Sequence, residues 1–375
     1  MKKLSIGIDI NEANVTSRVG TGQYCFHLLS QWYKEKNIDF HLYHRDPLVA
    51  DLPPKEGEYW HYHLVKPKKG WLLFGLPLHL ATHPKHDVFW SPAHYMPPYI
   101  GSRSVVTIHD LAYEYFPSLF LPTDLYKLRH LTRKAVKQAD HVIAVSSATK
   151  QDLINLYGVP SDKISVVHNG YDSEIFNATQ KPDKNILDSY HLTPNSYLLF
   201  LGTIQPRKNA IKLVQAFHLL KQSGYPGKLV IAGQIGWLAR ETLEVIRSSP
   251  VAKDIILTGY ISDTTRKALY TYADVYVLPS LYEGFGVPAI EAMGCGAPTA
   301  VSNNSSLPEV VGDAGLLFNA SDPADIARAI TEIKKDRSSW VKKSLARAKH
   351  FSWEKCAKET LEILSNASKG TLKCL

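Results

Sequence analysis

Ser280-Leu-Tyr-Glu283-Gly284-Phe285-Gly286-Val287-Pro288-Ala-Ile-Glu291-Ala-Met-Gly294-Cys-Gly296-Ala-Pro298 decides the fold. The apolar run just before it, Val275, Tyr276, Val277 and Leu278, reads as a buried strand, and Pro288 suits the first turn of a helix, where a missing N–H costs nothing. Strand, glycine turn and helix therefore follow in order. Such a turn aims backbone N–H groups and the positive end of the helix dipole outward, and Gly284 and Gly286 let a ligand approach the backbone. That is a seat for an anion, flanked by Glu283 and Glu291. Carboxylates beside a phosphate site suit hydrogen bonds from sugar hydroxyls. Any parallel-sheet protein has strand-glycine-helix turns, but surface charge alone leaves the Glu-x7-Glu spacing and the small-residue exit through Gly294 and Gly296 unexplained.

A second turn upstream supplies positive charge. Phe200-Leu-Gly202-Thr-Ile-Gln-Pro206-Arg207-Lys208-Asn209 runs from an apolar strand, Tyr197 to Leu201, into a helix with Ile211, Leu213, Val214, Phe217 and Leu220 at helical spacing. Arg207 and Lys208 thus stand at a helix start, where cations oppose the dipole unless an anion accompanies them. A diphosphate supplies that anion, because Arg grips phosphate through a fork and Lys as a point charge.

On these residues the chain resembles a retaining glycosyltransferase of family 4. Glu283 to Glu291 matches the family's Glu-x7-Glu motif and Gly202 to Asn209 its diphosphate segment, while Thr107-Ile-His109-Asp-Leu111 and Val167-His-Asn-Gly-Tyr-Asp172 match weaker ones. The resemblance implies the GT-B architecture, two Rossmann-like doubly wound α/β domains facing a central cleft. It also implies transfer of a hexose from a nucleotide diphosphate sugar to an acceptor hydroxyl with the anomeric configuration kept. Gly202-Thr-Ile-Gln-Pro-Arg-Lys-Asn209 together with Ile108-His-Asp-Leu111 resembles bacterial mannosyltransferases, which makes GDP-mannose the expected donor.

The same resemblance assigns roles. Arg207, Lys208 and the backbone from Gly284 through Phe285 and Gly286 to Val287 hold the diphosphate, with Gly202 in the turn beside them. Glu283 takes a sugar hydroxyl and Glu291 the nucleotide ribose; the base meets backbone near Tyr260 and Ile261. His109, at the C-terminal end of an apolar strand where open α/β sheets bind ligands, contacts the transferred sugar, while Asp110 caps the next turn. Gly22, in Gly20-Thr-Gly22-Gln-Tyr24, borders the donor phosphate, although by itself this turn lacks the full dinucleotide fingerprint. His109, Arg207, Lys208 and Glu283 form the expected catalytic set. The sequence has no Asp-x-Asp pair, so no metal and no cofactor is expected; the leaving phosphate oxygen takes the acceptor's proton on the same face.

Strands near Ser5–Ile10, Phe40–Tyr43, Tyr59–Val65, Val88–Trp90, Ser104–Ile108, His141–Val145 and Ile164–Val167 alternate with helices, giving a first α/β domain over 1–171. A polar stretch, 172–194, reads as a linker. The donor domain then spans 195–351, with strands at Tyr197–Leu201, Lys228–Ala232, Ile255–Thr258, Val275–Leu278, Thr299–Ser302 and Leu316–Phe318. By resemblance, 352–375 crosses back onto the first domain.

The 375 residues suit two domains, and 45% hydrophobic content is ordinary for a soluble chain. Met1 to Asp9 reads as a first strand rather than a signal peptide. No run reaches the ~20 apolar residues that cross a bilayer; Trp71 to Ala81, the longest, contains Pro77 and His79. Cys25, Cys295, Cys356 and Cys374 read as free thiols in a reducing cytoplasm. His61 and His63 share a strand face, but lacking a third ligand they read as structural. The net charge of +8 favours anionic partners. Lys66-Pro-Lys68-Lys69-Gly-Trp71-Leu-Leu-Phe74 and the segment with Lys127, Arg129, Arg133, Lys134 and Lys137 mix cations with apolar groups. That pattern fits a solvated face or a membrane surface bearing a lipid-linked or glycan acceptor, at the inner face of the cell membrane. Nucleic acid is a poorer partner, because no recognition module is present. Two other readings share the architecture: a sugar-nucleotide epimerase, and a silent sugar-nucleotide binding protein.

Overall fold

The structure is a computed structural model that describes residues 3–54 and 58–371; Met1, Lys2 and Cys374 lie outside these. The chain divides into two compact units, Met1–Gly170 with Trp353–Leu375, and Tyr171–Ser352.

The first unit carries β1 (Leu4–Asp9), β2 (Ile38–His44), β3 (Trp60–Leu64), β4 (Val88–Ser91), β5 (Arg103–Ile108), β6 (His141–Ala144) and β7 (Ile164–Val166). They pair in parallel in the order β3-β2-β1-β4-β5-β6-β7. Helices on both faces explain why β4 and β6 are buried along their whole length and read as continuous apolar runs. The helix Trp353–Ser368 completes the core: Trp32 Nε1 donates to Ala357 O at 3.0 Å, and Trp353, Cys356, Ile363 and Leu364 join the cluster around Ile6, Tyr24 and Trp90. No helix among the described residues is long and apolar enough to cross a membrane. Trp71 to Thr82 is instead a π-helical turn, Trp71–Gly75, running into a short helix, Leu76–Thr82. Trp71, Leu76 and Leu80 are buried; Leu73, Phe74 and Leu78 face solvent.

The second unit carries β8 (Tyr197–Leu201), β9 (Lys228–Ala232), β10 (Ile255–Gly259), β11 (Val275–Leu278), β12 (Thr299–Ser302) and β13 (Gly315–Phe318), all parallel, in the order β10-β9-β8-β11-β12-β13. The strand order reverses between β8 and β11, the point where open α/β sheets leave a crevice at their carboxyl ends. Both sequence turns singled out above leave these two strands. Residues 172–194, expected as a linker, pack within this unit. Phe176, Leu187 and Leu192, apolar groups in a largely polar stretch, are buried, and Tyr272 Oη donates to Pro182 O at 2.7 Å.

Candidate active site

After β8 the chain makes one tight 3-10 turn, Pro206–Lys208, and Asn209 closes it in the left-handed region (φ 59°) before the helix Ala210–Gln222. Asn209 Nδ2 donates to Pro279 O at 3.0 Å and to Ala320 O at 2.8 Å, while the Leu281 amide donates to Arg207 O at 2.9 Å. The turns after β8 and β11 are thereby stapled together. Gly286 (φ 100°) starts the helix Val287–Gly294, which has no side-chain cap, and a Cβ at Gly286 would lie 2.7 Å from Leu307 Cδ2. No side chain of the turn competes with an anion for this helix start, although Pro288 has no N–H and the Ala289 amide donates to Gly286 O at 2.9 Å.

Glu283 sits in this turn, 7% exposed. Lys208 Nζ donates to its Oε1 at 2.6 Å, Arg207 Nη1 to its Oε2 at 3.4 Å, and Ser280 Oγ to Oε1 at 2.5 Å. Arg207 also donates to Tyr282 O, and Ser305 Oγ accepts from the Glu283 amide at 2.8 Å. Burial pushes the Glu283 carboxyl up, but Lys208 and Arg207 more than offset it and hold the group at about 2. Glu283 is ionised at any physiological pH.

Glu291, in the same helix, is 6% exposed and has other partners. Tyr270 Oη donates to its Oε2 at 3.1 Å and Arg266 Nη1 stands 3.5 Å from the same oxygen. Burial lifts its carboxyl to about 7, opposed by the Arg266 charge and the Tyr270 hydrogen bond. Nothing in the sequence marked Arg266 or Tyr270, because their partnership with Glu291 links separate helices. Ser280 and Ser305 were missed likewise: small hydroxyls in a turn leave no periodic signal. Tyr260 and Ile261 follow β10, Tyr260 exposed and Ile261 half-buried.

Residues 185–350 match the family described as Glycosyl transferases group 1, and residues 20–175 match Glycosyltransferase Family 4. The chain is 33% identical over 287 residues to O-antigen chain mannosyltransferase B of Escherichia coli, covering 74% of each. The chain belongs to glycosyltransferase family 4. This glycosyltransferase is also 31% identical over 270 residues to the serotype-specific mannosyltransferase WbdA of Escherichia coli, a match that spans 69% of the chain but only 33% of that longer protein. Among solved structures it is similar to Anabaena Alr3699/HepE in complex with UDP-glucose, with a TM-score of 0.73 at 18% identity over 97% of this chain and 100% of that one. The two Rossmann-like parallel-sheet domains expected from the motifs are thus present, one in each unit, and the solved structures they resemble are GT-B glycosyltransferases.

In the first unit of the glycosyltransferase, the expected residues cluster at the carboxyl ends of β1, β4 and β5. His109 follows β5, its Nε2–H donating to Pro92 O at 2.7 Å and its ring edge-on to Tyr24 at 4.9 Å. The carbonyl can only accept, so Nδ1 is the bare acceptor nitrogen. Burial, and then the neighbouring His94, lower the His109 imidazole to about 4, so it is neutral. Asp110 caps the next turn, accepting from the Ala112 amide at 3.1 Å. Gly20 takes a positive φ of 42°, and a Cβ on Gly22 would strike Glu12 O at 2.6 Å, so the first glycine has a conformational reason and the second a packing one.

A groove of about 420 Å³ opens beside β1 and β4, lined by Asp9, Asn11, Trp71, Leu73, Tyr95 and Lys127 among others. Burial raises the Asp9 carboxyl to about 6 against hydrogen bonds from Asn11, whose Nδ2 donates at 2.7 Å. His61 and His63 both meet His41, and His63 also meets His79; His86 in turn packs on His41 and His83 on His79. Among the described residues no group of three or more His, Cys, Asp or Glu side chains is arranged to hold a metal ion. Cys25, Cys295 and Cys356 are buried free thiols.

Proposed function

We propose that this glycosyltransferase moves a mannosyl group from GDP-mannose to a hydroxyl of a glycan or lipid-linked acceptor in O-antigen or related polysaccharide assembly, with retention. The observation that carries the reading is the ion triad of Glu283 with Arg207 and Lys208 beside the uncapped helix start at Gly286. In the ligand-free chain Glu283 is a buried anion set on two adjacent cations. A diphosphate seated on the Gly286 turn competes for Arg207 and Lys208, and Glu283 then turns its oxygens to the hydroxyls of the sugar.

Two side-chain cations and helix amides match the charge of a diphosphate, so the chemistry needs no metal. The bond from the anomeric carbon to the β-phosphate oxygen breaks and one to the acceptor oxygen forms on the same face; the acceptor's proton goes to the departing phosphate oxygen. Glu291 takes the ribose, backbone near Tyr260 and Ile261 the base, and the bare Nδ1 of neutral His109 a hydroxyl of the transferred sugar. The mannosyltransferase relatives support the sugar. The acceptor enters the groove at Asp9 and Asn11, and Lys66, Lys68 and Lys69 with exposed Leu73, Phe74 and Leu78 meet the anionic inner face of the cell membrane.

The test is turnover of GDP-mannose, UDP-glucose and UDP-N-acetylglucosamine with and without EDTA, using lipid-linked oligosaccharide as acceptor. GDP-mannose should be consumed at an EDTA-insensitive rate, with an α-linked product; an inverted product or a metal requirement overturns the mechanism. Sedimentation with anionic vesicles tests the membrane contact, which fails if nothing pellets at low salt.

A further inference from the structure

Arg266 and Tyr270 sit one helical turn apart on the helix Asp263–Tyr272 and reach one oxygen of Glu291. On a helix, residues four apart share a face, so one element delivers both groups to the same carboxylate. Neither belongs to a motif of the sequence, and neither has a role in the reading above. Both contacts converge on Oε2, which leaves Oε1 for a ligand.

The pair is itself held in place. The Arg266 guanidinium lies over the Phe176 ring at 4.4 Å and donates through Nη2 to Asp263 Oδ1 at 2.8 Å, while its buried Nε has no hydrogen-bond partner. Tyr270 packs edge-on against Tyr276 at 5.5 Å and against Phe176 at 6.0 Å. A half-buried guanidinium held by stacking rather than by full hydrogen bonding is there for its charge.

We infer that Arg266 and Tyr270 are positioning residues for nucleotide binding, keeping Glu291 ionised and its Oε2 fixed so that Oε1 can accept the ribose hydroxyl. The inference rests on Glu291 being the ribose contact. The other groups that bear on this carboxylate are Asp172 and Asp263, which oppose its ionisation, with Tyr276 and Cys295 beside it, both held neutral chiefly by burial. Arg266 is the cation on the favourable side. Without it the carboxyl titrates higher, and at neutral pH the ribose meets a protonated acid that has lost an acceptor.

The experiment measures the affinity of the full chain for GDP and for UDP by calorimetry between about pH 6 and about pH 9, a range that brackets Glu291. Native affinity should rise with pH through about 7. Arg266→Gln should weaken binding about tenfold at neutral pH and little at the alkaline end, moving the midpoint upward by about one unit. Tyr270→Phe, which keeps the ring, should move it the same way by less, and Arg266→Lys should restore most of the native profile. A loss uniform across pH, or none, in both Arg266→Gln and Tyr270→Phe overturns the inference. Glu291→Gln separates the two levels: if it binds nucleotide as tightly as the native chain at every pH, the ribose assignment itself is wrong. If it flattens the profile while the Arg266 and Tyr270 variants do nothing, only the positioning role falls.

Discussion

Lys208 Nζ lies 2.6 Å from Glu283 Oε1, so the cation expected to meet the donor phosphate is neutralised by the carboxylate expected to meet the donor sugar. The contact links the two turns at the switch point of the second sheet, and each partner is at most 12% exposed at its side chain. A pair this buried is costly to break from one side, because the remaining charge stays desolvated.

Lys208→Ala should therefore destabilise the second unit by about 3 kcal/mol, in the range for uncompensated buried charge. It should also lower kcat/KM for the donor by about 10² to 10³, as for loss of one group that stabilises the leaving anion. Glu283→Gln, which keeps the shape but leaves Lys208 and Arg207 without their anion, should cost a similar amount of stability and reduce kcat more than it changes nucleotide affinity. Equal kcat in Glu283→Gln and the native chain would sink the sugar-hydroxyl role.

The same triad sets an acid limit. Glu283 is held at about 2, below its ordinary 4.5, so its contribution is fully present above 4.5 and is lost as pH falls toward 2. The loss is on the order of 3 kcal/mol. Urea midpoints measured between those pH values should fall steeply in the native chain and less in Glu283→Gln.

Gly286→Ala tests the helix start. The left-handed φ and the 2.7 Å approach of Leu307 both penalise a Cβ there, for a cost of about 1 to 3 kcal/mol. If the uncapped amides hold phosphate, the weakened affinity should be common to GDP and UDP, since the turn sees no base. A loss confined to one of them would place the base, rather than the diphosphate, at this turn.

His109 enters the reaction as a neutral acceptor. Its imidazole is held at about 4, chiefly by burial, with Nε2–H committed to Pro92 O. His109→Ala should lower kcat about 10²-fold, yet the native pH profile should show no limb near 6.5 that disappears in the variant. Such a limb would mean that His109 cycles as acid and base.

How far the sequence could be read depends on where the partners lie. β8, β9, β11 and β12 were legible to the residue because each is a short, fully or almost fully buried run ended by glycine, proline or a polar residue. Glu283, Arg207 and Lys208 were legible because glycine turns announce them. Their mutual contact was not, since it depends on β8 and β11 pairing side by side across some 75 positions. Arg266 and Tyr270 were hidden for the same reason, on a helix whose face toward Glu291 only tertiary packing defines. The linker reading weighed the polarity of 172–194 over the buried Phe176, Leu187 and Leu192 that anchor it.

The histidines of the first unit carry the last prediction. Across the parallel β2–β3 pairing His41 stands opposite His61 and Tyr43 opposite His63, with His41 Nδ1 3.0 Å from His63 Nε2; a hydrogen bond there needs one donor and one acceptor, so at least one of the two rings is neutral. His41 also stacks near His86, whose Nε2 meets Tyr43 Oη at 2.5 Å and whose Nδ1 meets Ser5 Oγ at 3.1 Å. Burial, and then the other imidazoles, hold His41, His63 and His86 at about 4, against an ordinary 6.5; Asp87 is the acid that opposes this at His86. Between those values the unfolded chain binds more protons than the folded one, so stability falls as pH drops from 6.5 toward 4 and the loss is complete below that. Partial exposure screens the effect, leaving about 1 kcal/mol for each ring. His63→Gln should therefore make the unfolding midpoint less sensitive to pH in this window, even if it lowers stability at neutral pH. Parallel curves for the variant and the native chain would show that the rings already share protons in the folded state.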